Sequence, residues 1–125
     1  MHNSILEKLY KYYNLGCLTD QGFDIAQTIL KIFDRYPLSR RRIQLLCDEY
    51  FYGWSVEITI NLPNIALIIE ISNTIDIGIY DFSSTSVRYP ANLQSLTFNQ
   101  KNIVYEYLIS VLDNPTSYLV IWLDD

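Results

Sequence analysis

The sequence predicts an α+β domain in which helices pack on one face of a mainly antiparallel sheet. Apolar residues recur every three or four positions before residue 54, and they alternate with polar residues in the segments between residues 55 and 82. The predicted order is three helices, a three-stranded meander, a helix and a fourth strand. A chain of 125 residues can bury a core without disulfides, so we expect a single domain spanning 1–125, with a helical part at 1–52 and the sheet plus one helix at 54–125.

The three N-terminal helices are predicted from their apolar faces and from their ends. The first stops at Asn14-Leu15-Gly16, because glycine favours helix C-termini. The second begins at the N-cap pair Thr19-Asp20 and ends before Pro37. The third is capped by Ser39 and closed by Gly53. The inward residues of the three helices are Ile5, Leu6, Leu9, Tyr12 and Tyr13; Phe23, Ala26, Ile29, Leu30 and Phe33; and Ile43, Leu46, Cys47 and Tyr50.

The three strands of the meander are SVEITINL, IALIIEI and IDIGIYDF. Their pairing register can be predicted, because a slip of one residue would send a buried row of side chains to the opposite face. Pairing Leu62 with Ile65 across the Pro63-Asn64 turn, and Ile71 with Ile75 across the next turn, keeps the isoleucines of the three strands on one face, except Ile68.

The remainder of the chain is predicted to add one helix and one strand. A loop at residues 83–94 leads to Thr97 and Gln100, whose spacing is that of a capping box at a helix N-terminus. The helix that follows stops at Asp113-Asn114-Pro115. The stretch SYLVIWL, residues 117–123, is apolar on both faces, as expected of a strand inside a sheet.

This register places three carboxylates in one row across adjacent strands. Glu57 lies opposite Glu70, and Glu70 lies opposite Asp76, all on the face away from the isoleucines. Like charges directly opposite one another are destabilising, and the repulsion at roughly 5 Å is about 1 kcal/mol in water and about 3 kcal/mol near a protein surface. A fourth acid, Asp81, falls on the isoleucine face by strict alternation unless the end of the strand turns it outward.

Charge is distributed unevenly along the chain, whose net charge is −5. Residues 1–50 hold seven Lys and Arg against six Asp and Glu, whereas residues 51–125 hold two against eight. This acidity argues against nucleic acid or an anionic membrane as a partner and is compatible with a basic protein. The basic run Ser39–Arg42 is too short to overturn that expectation.

Several chemistries find no support in the sequence. His2 is the only histidine, which argues against histidine-based acid–base catalysis and a histidine-rich metal site. Cys17 and Cys47 lie 30 positions apart without a CxxC motif, so we expect buried free thiols. No phosphate-binding glycine loop, membrane-length apolar run or signal-peptide pattern is present, and we expect a cytoplasmic protein without a cofactor or metal.

Three interpretations of the carboxylate row remain open. The side chains extend into solvent or are neutralised by Arg40, Arg41, Arg42, Arg88 or Lys101. Alternatively, the row is a binding surface for a cationic partner, together with Thr59, Ile68 and Tyr80 on the same face. A third possibility is a divalent-metal site or a carboxylate pair for acid–base chemistry, which lacks the loops and cleft such sites use.

A small, acidic, Ile- and Tyr-rich α+β chain with the segment GWSVEITINLP, a meander and a negative face resembles the bacterial immunity proteins of polymorphic and contact-dependent growth-inhibition toxin systems. The resemblance is one of size, charge and architecture. It implies a non-enzymatic protein that binds a cognate toxin, often a basic nuclease, and blocks its active site.

We therefore expect a non-enzymatic binding protein that neutralises a basic partner. The expected electrostatic contacts are Glu57, Glu70, Asp76 and Asp81, with Thr59, Ile68 and Tyr80 beside them. A self-associating structural or regulatory subunit is the first alternative, and a carboxylate-dependent metal enzyme is the second. The sequence leaves the oligomeric state open between monomer and weak dimer.

Overall fold

Two helices open the chain in a computed structural model, which describes residues 3–36, 43–50 and 53–113. Helix α1 spans Asn3–Asn14 and helix α2 spans Asp20–Asp34. Gly16 has a φ of 82°, and the backbone N–H of Cys17 donates to the carbonyl oxygen of Tyr12 at 3.0 Å, which closes α1 with a Schellman motif. Thr19 caps α2, because its side-chain oxygen accepts from the Gly22 N–H. Both predicted helices and their caps are confirmed.

The prediction of a third helix is wrong. Residues Ile43–Tyr50 form strand β1, paired antiparallel with β2, which spans Gly53–Asn61. Ile43 and Leu45 are buried whereas Leu46 is 48% exposed, which is the alternation of a strand. The helical spacing of Ile43, Leu46 and Cys47 was coincidental. The predicted cap Ser39 lies outside the described residues.

The predicted meander is confirmed, with its register. Strand β3 spans Ile65–Ile71 and β4 spans Ile75–Asp81. Ile60 pairs with Leu67, and Ile71 pairs with both Val56 and Ile75, as the isoleucine rows require. The described strands form one antiparallel sheet in the order β1-β2-β3-β4-β5, where β5 is a short strand, Ser86–Arg88, within the segment predicted to be a loop.

The capping box of Thr97 and Gln100 is also confirmed. It opens a single 3₁₀ turn, Phe98–Gln100, which runs into helix α3, Lys101–Asp113. Another 3₁₀ turn, Ala91–Leu93, follows β5. The predicted fourth strand at 117–123 lies outside the described residues.

The core lies between the isoleucine face of the sheet and the helices. Ile58, Ile69 and Ile77 form one cross-strand row and have no exposed surface. They belong to one buried cluster with Leu9 of α1, Ile29 of α2 and Val104 of α3. Burying each such side chain contributes about 1.5–3 kcal/mol, so this packing fixes which face of the sheet points inward. Among the described helices, none combines the length and apolar character needed to cross a bilayer.

Candidate interaction surface

The sheet face opposite the helices, here called the outer face, carries the predicted carboxylates. Among the residues that the structure describes, lysine and arginine occupy none of its positions, and the charged side chains at these positions are all acidic. These positions are Gln44, Leu46, Asp48, Ser55, Glu57, Thr59, Asn61, Ala66, Ile68, Glu70, Asp76, Gly78, Tyr80 and Val87.

The row of three carboxylates forms as predicted. Glu57 is paired with Glu70, and Glu70 is paired with Asp76, at directly opposed positions on neighbouring strands. All three side chains are half-buried. Strand β1 extends the row with Leu46, which lies opposite Glu57 and is exposed.

Among the described residues, two of the three carboxylates have hydrogen-bond donors. Glu70 accepts from the hydroxyl of Ser55 at 3.2 Å, and Ser55 is only 1% exposed. Asp76 accepts from the backbone N–H of Ser95 at 2.7 Å and from the Thr74 hydroxyl at 3.2 Å. Asp76 therefore holds the loop beside β4, where Ser95 has a positive φ of 53°. Its part in the row is structural as well as electrostatic.

The surroundings of Glu57 disfavour its ionised form. The pKa of its carboxyl is raised mainly by burial, then by the negative charge of Glu70 and least by the negative charge of Asp48. All three causes disfavour the ionised form. A cation placed here would act against two of them.

Asp48 is a member of the site that the sequence interpretation missed. It lies opposite Ser55 on the outer face, and only the strand conformation of 43–50 brings it there. Asp48, Glu57 and Glu70 together are called the acidic cluster below. Alternation within Gln44–Asp48 was the signal that could have located it. Within the part of the chain that the structure describes, no group of three or more His, Cys, Asp or Glu is arranged to hold a metal ion.

Asp81 stands apart from the acidic cluster. It pairs with buried Ile65, so alternation places it off the outer face. Its carboxylate accepts from the Ser83 N–H at 2.9 Å and the Ser83 hydroxyl at 2.7 Å, and these bonds lower the pKa of Asp81. Asp81 therefore shapes the turn after β4.

The predicted apolar members of the site lie on the outer face beside further exposed side chains. Ile68 lies between Thr59 and Gly78, and the Tyr80 ring meets the Phe82 ring edge-on with centroids 5.4 Å apart. The ring of Tyr89, which is 66% exposed, lies over Gly78. Here the aromatic patch denotes Tyr80, Phe82, Val87 and Tyr89. Val87 and Tyr89 were missed because their segment was predicted to be a loop, whereas Phe82 ends the predicted third strand of the meander and was not counted in the site. The outer face thus combines an acidic end with an apolar end.

Replacing Glu57 by glutamine is expected to stabilise the protein at neutral pH. Because the pKa of Glu57 is raised above its ordinary 4.5, the folded state holds this proton more tightly than the unfolded state. Stability contributed by this group is present at low pH and is lost as the pH rises from the unfolded pKa through the folded pKa. Above that window glutamine avoids the like-charge cost, about 0.5–1 kcal/mol for opposed strand positions.

Urea unfolding at about pH 4 and about pH 7, on either side of an ordinary Glu pKa, measures this effect. The gain from Glu57→Gln should be larger at the higher pH. Glu7→Gln, at an exposed position of α1, is the control and should show a smaller change. An equal gain from Glu57→Gln at both pH values would contradict the electrostatic origin.

Comparison of the chain with protein-family models, curated proteins and solved structures gives no match. The functional argument therefore depends on the outer face itself.

Proposed function

We propose that this protein is a non-enzymatic inhibitor of the immunity type, which neutralises a basic toxin by covering its active site with the outer face. The observation that carries the proposal is the acidic cluster: Glu57 and Glu70 are directly opposed and half-buried, Asp48 is exposed beside them, and no described position of the outer face holds lysine or arginine. Such an arrangement costs folding free energy in the isolated protein. A cationic partner would offset that cost, so binding explains an arrangement that stability of the isolated protein does not.

The two ends of the outer face would act differently in the complex. The carboxylates of Glu57 and Glu70 would accept hydrogen bonds from lysine or arginine of the partner, and their field would speed its approach. The aromatic patch would supply apolar contact area, since exposed tyrosine and phenylalanine are typical of interfaces. Asp76 and Asp81 already accept hydrogen bonds from residues of the neighbouring loops. They would therefore add negative potential rather than direct contacts.

A nuclease-type toxin fits this chemistry because its substrate is a polyanion. The basic groups that bind nucleic acid phosphates would instead face the acidic cluster, and the bound inhibitor would exclude the substrate. The cytoplasm, where such a toxin would act, is the proposed location.

The proposal predicts that a gene upstream of this chain's gene encodes a toxin-like domain, and the test begins by looking for that domain and purifying it. The purified chain should bind that domain, abolish its nuclease activity and restore growth of cells that express it. Because the attraction is electrostatic, the association rate should fall at least about tenfold between low salt and physiological salt. Failure to bind or neutralise the domain would overturn the proposed function, and an association rate independent of salt would overturn the acidic contact.

Self-association is a second candidate, favoured by the exposed side chains of Phe82, Val87 and Tyr89. In a pair of chains joined through this face the acidic clusters would repel, so the dimer should strengthen as salt screens them. Sedimentation at several salt concentrations distinguishes the candidates. A monomer at every salt concentration contradicts self-association.

A further inference from the structure

Trp54 and Glu49 are directly opposed in the next-to-last pair of the β1–β2 ladder. Side chains at such positions have Cβ atoms about 4.5–5.5 Å apart. Both residues are exposed, and Trp54 is 41% exposed although tryptophan is usually well buried. Because Trp54 alternates with fully buried Val56, the pair lies on the helix-bearing face of the sheet, on the side away from the acidic cluster.

A groove of about 250 Å³ opens beside Trp54 at this end of the sheet. Its described lining comes from the turn between α1 and α2, the start of β2 and the turn between β3 and β4. Cys17 is a buried free thiol and Leu18 is buried, so they give the groove an apolar base. Ser72 and Asn73 add a hydroxyl and an amide to its wall.

The groove is open, and none of its described lining residues is basic. Gly16 and Gly53 have φ values of 82° and 127°, and no described atom lies within 4 Å of the position that a Cβ would occupy at either glycine. A side chain of another molecule therefore has room to enter beside Trp54. Glu49 supplies a negative charge next to the indole.

A carboxylate beside an exposed aromatic ring fits the side chain of arginine. The face of an indole attracts a cation, and a guanidinium group stacks on that face because it is planar. A carboxylate accepts two parallel hydrogen bonds from a guanidinium group, which an ammonium group does not donate in the same geometry. The base of the groove suits the apolar stem of the side chain. An anion would be repelled by Glu49.

We propose that Trp54 and Glu49 form a second contact for the basic partner, where one arginine side chain stacks its guanidinium group on the indole, donates to the carboxylate and lays its stem in the groove. The inference rests on the proposed function, which supplies the partner. Asp48 and Glu49 are neighbours on β1, the outermost described strand on this side of the sheet, and they lie on opposite faces. A partner segment that passes the edge of β1 therefore contacts the acidic cluster and this site together.

The affinity for the upstream toxin-like domain is measured by calorimetry for E49Q and W54A. E49Q should weaken binding at least about tenfold, and W54A should weaken it about 3- to 30-fold. Because both side chains hold the same arginine, the double variant should lose less than the product of the two single losses. The controls E7Q and I103A remove a charge and an apolar side chain at exposed positions of α1 and α3, and they should leave the affinity nearly unchanged.

Failure of this contact is distinguishable from failure of the proposed function. If the unsubstituted chain neither binds nor neutralises the domain, the proposed function is overturned and this contact with it. If the unsubstituted chain binds the domain but E49Q and W54A bind it equally well, only this contact is overturned. Fully multiplicative losses in the double variant would mean that the two side chains contact different groups of the partner, which also overturns the shared site.

A small probe tests the site on the unsubstituted chain, where no variant has to fold. The peptide acetyl-Gly-Arg-Gly-amide is compared with the same peptide carrying citrulline, the uncharged analogue of arginine. Nuclear magnetic resonance follows the indole N–H of Trp54. The arginine peptide should shift this signal in a saturable way, and the citrulline peptide should not. Equal shifts with both peptides, or none with the arginine peptide, would overturn the site.

Discussion

Replacing Ile69 by alanine is expected to lower the free energy of unfolding by about 3–4 kcal/mol. Ile69 has no exposed surface, and its neighbours across the sheet, Ile58 and Ile77, have none either. Because β3 is the central strand, the surrounding backbone is paired on both sides and cannot collapse fully into the space left by the missing atoms. The cost therefore includes both the lost transfer free energy and a cavity.

Urea unfolding followed by circular dichroism measures the change as a lower midpoint with an unchanged slope. Ile68→Ala is the matched control, since the adjacent side chain is half-buried on the outer face. It should cost about 1 kcal/mol or less. Comparable losses in the two variants would mean that the faces of the sheet are assigned incorrectly. Should Ile69→Ala fail to fold, Ile69→Val is expected to cost about 0.5–1.5 kcal/mol and serves the same comparison.

The register of β2, β3 and β4 could be predicted from the sequence because local and long-range requirements agree there. Alternation restricts each strand to one face, and short turns restrict the offset. The Leu62 N–H donates to the Ile65 carbonyl at 2.8 Å, and the Ser72 N–H donates to the Thr74 carbonyl at 3.0 Å. A chain constrained in both ways has one register that buries the isoleucines of these strands, with Ile68 of the outer face as the exception.

Strand β1 could not be predicted in the same way, because its apolar residues satisfy two periods. Ile43, Leu46 and Cys47 fit a helix, while Ile43, Leu45 and Cys47 fit a strand. The structure favours the strand through pairing with β2, a long-range interaction that a local pattern does not reveal. The consequence for the site was the omission of Asp48.

The region that flanks β4 was missed for a different reason. Strand β5 has only three residues, and the next segment is held by side chains instead of a long ladder. The Gln94 amide donates to the Ile77 carbonyl, and Asp76 accepts from the Ser95 N–H. Such bonds depend on the exact path of the loop, so the sequence placed Asp76 in the carboxylate row correctly without showing what its carboxylate holds.

Reversing the charge of Asp48 and Glu57 together is expected to stabilise the protein while weakening its binding to the upstream toxin-like domain. In D48K/E57K a lysine lies opposite Glu70, so repulsion becomes attraction, and the free energy of unfolding should rise by about 0.5–1 kcal/mol. The same change places positive charge against a basic partner. Loss of two close charge pairs, at roughly 1.5 kcal/mol or more each, lowers the affinity at least about 100-fold.

Glu70 and Asp76 are left intact in this design because their carboxylates accept hydrogen bonds within the chain. Their replacement would confuse a binding defect with a folding defect. Affinity is measured by calorimetry at fixed salt, and stability by urea unfolding of the same preparations. A higher free energy of unfolding together with a lower affinity would indicate that the charges of this surface favour binding at the expense of stability.

The matched control is E7K/E106K, which changes the net charge equally at exposed positions on α1 and α3. Because these helices pack on the other side of the sheet, the control should retain most of the affinity and lose only long-range steering. An equal loss in both double variants would mean that net charge alone governs binding. Undiminished affinity in D48K/E57K, with the toxin-like domain still neutralised, would remove the acidic cluster from the interface and leave the aromatic patch as its remaining candidate.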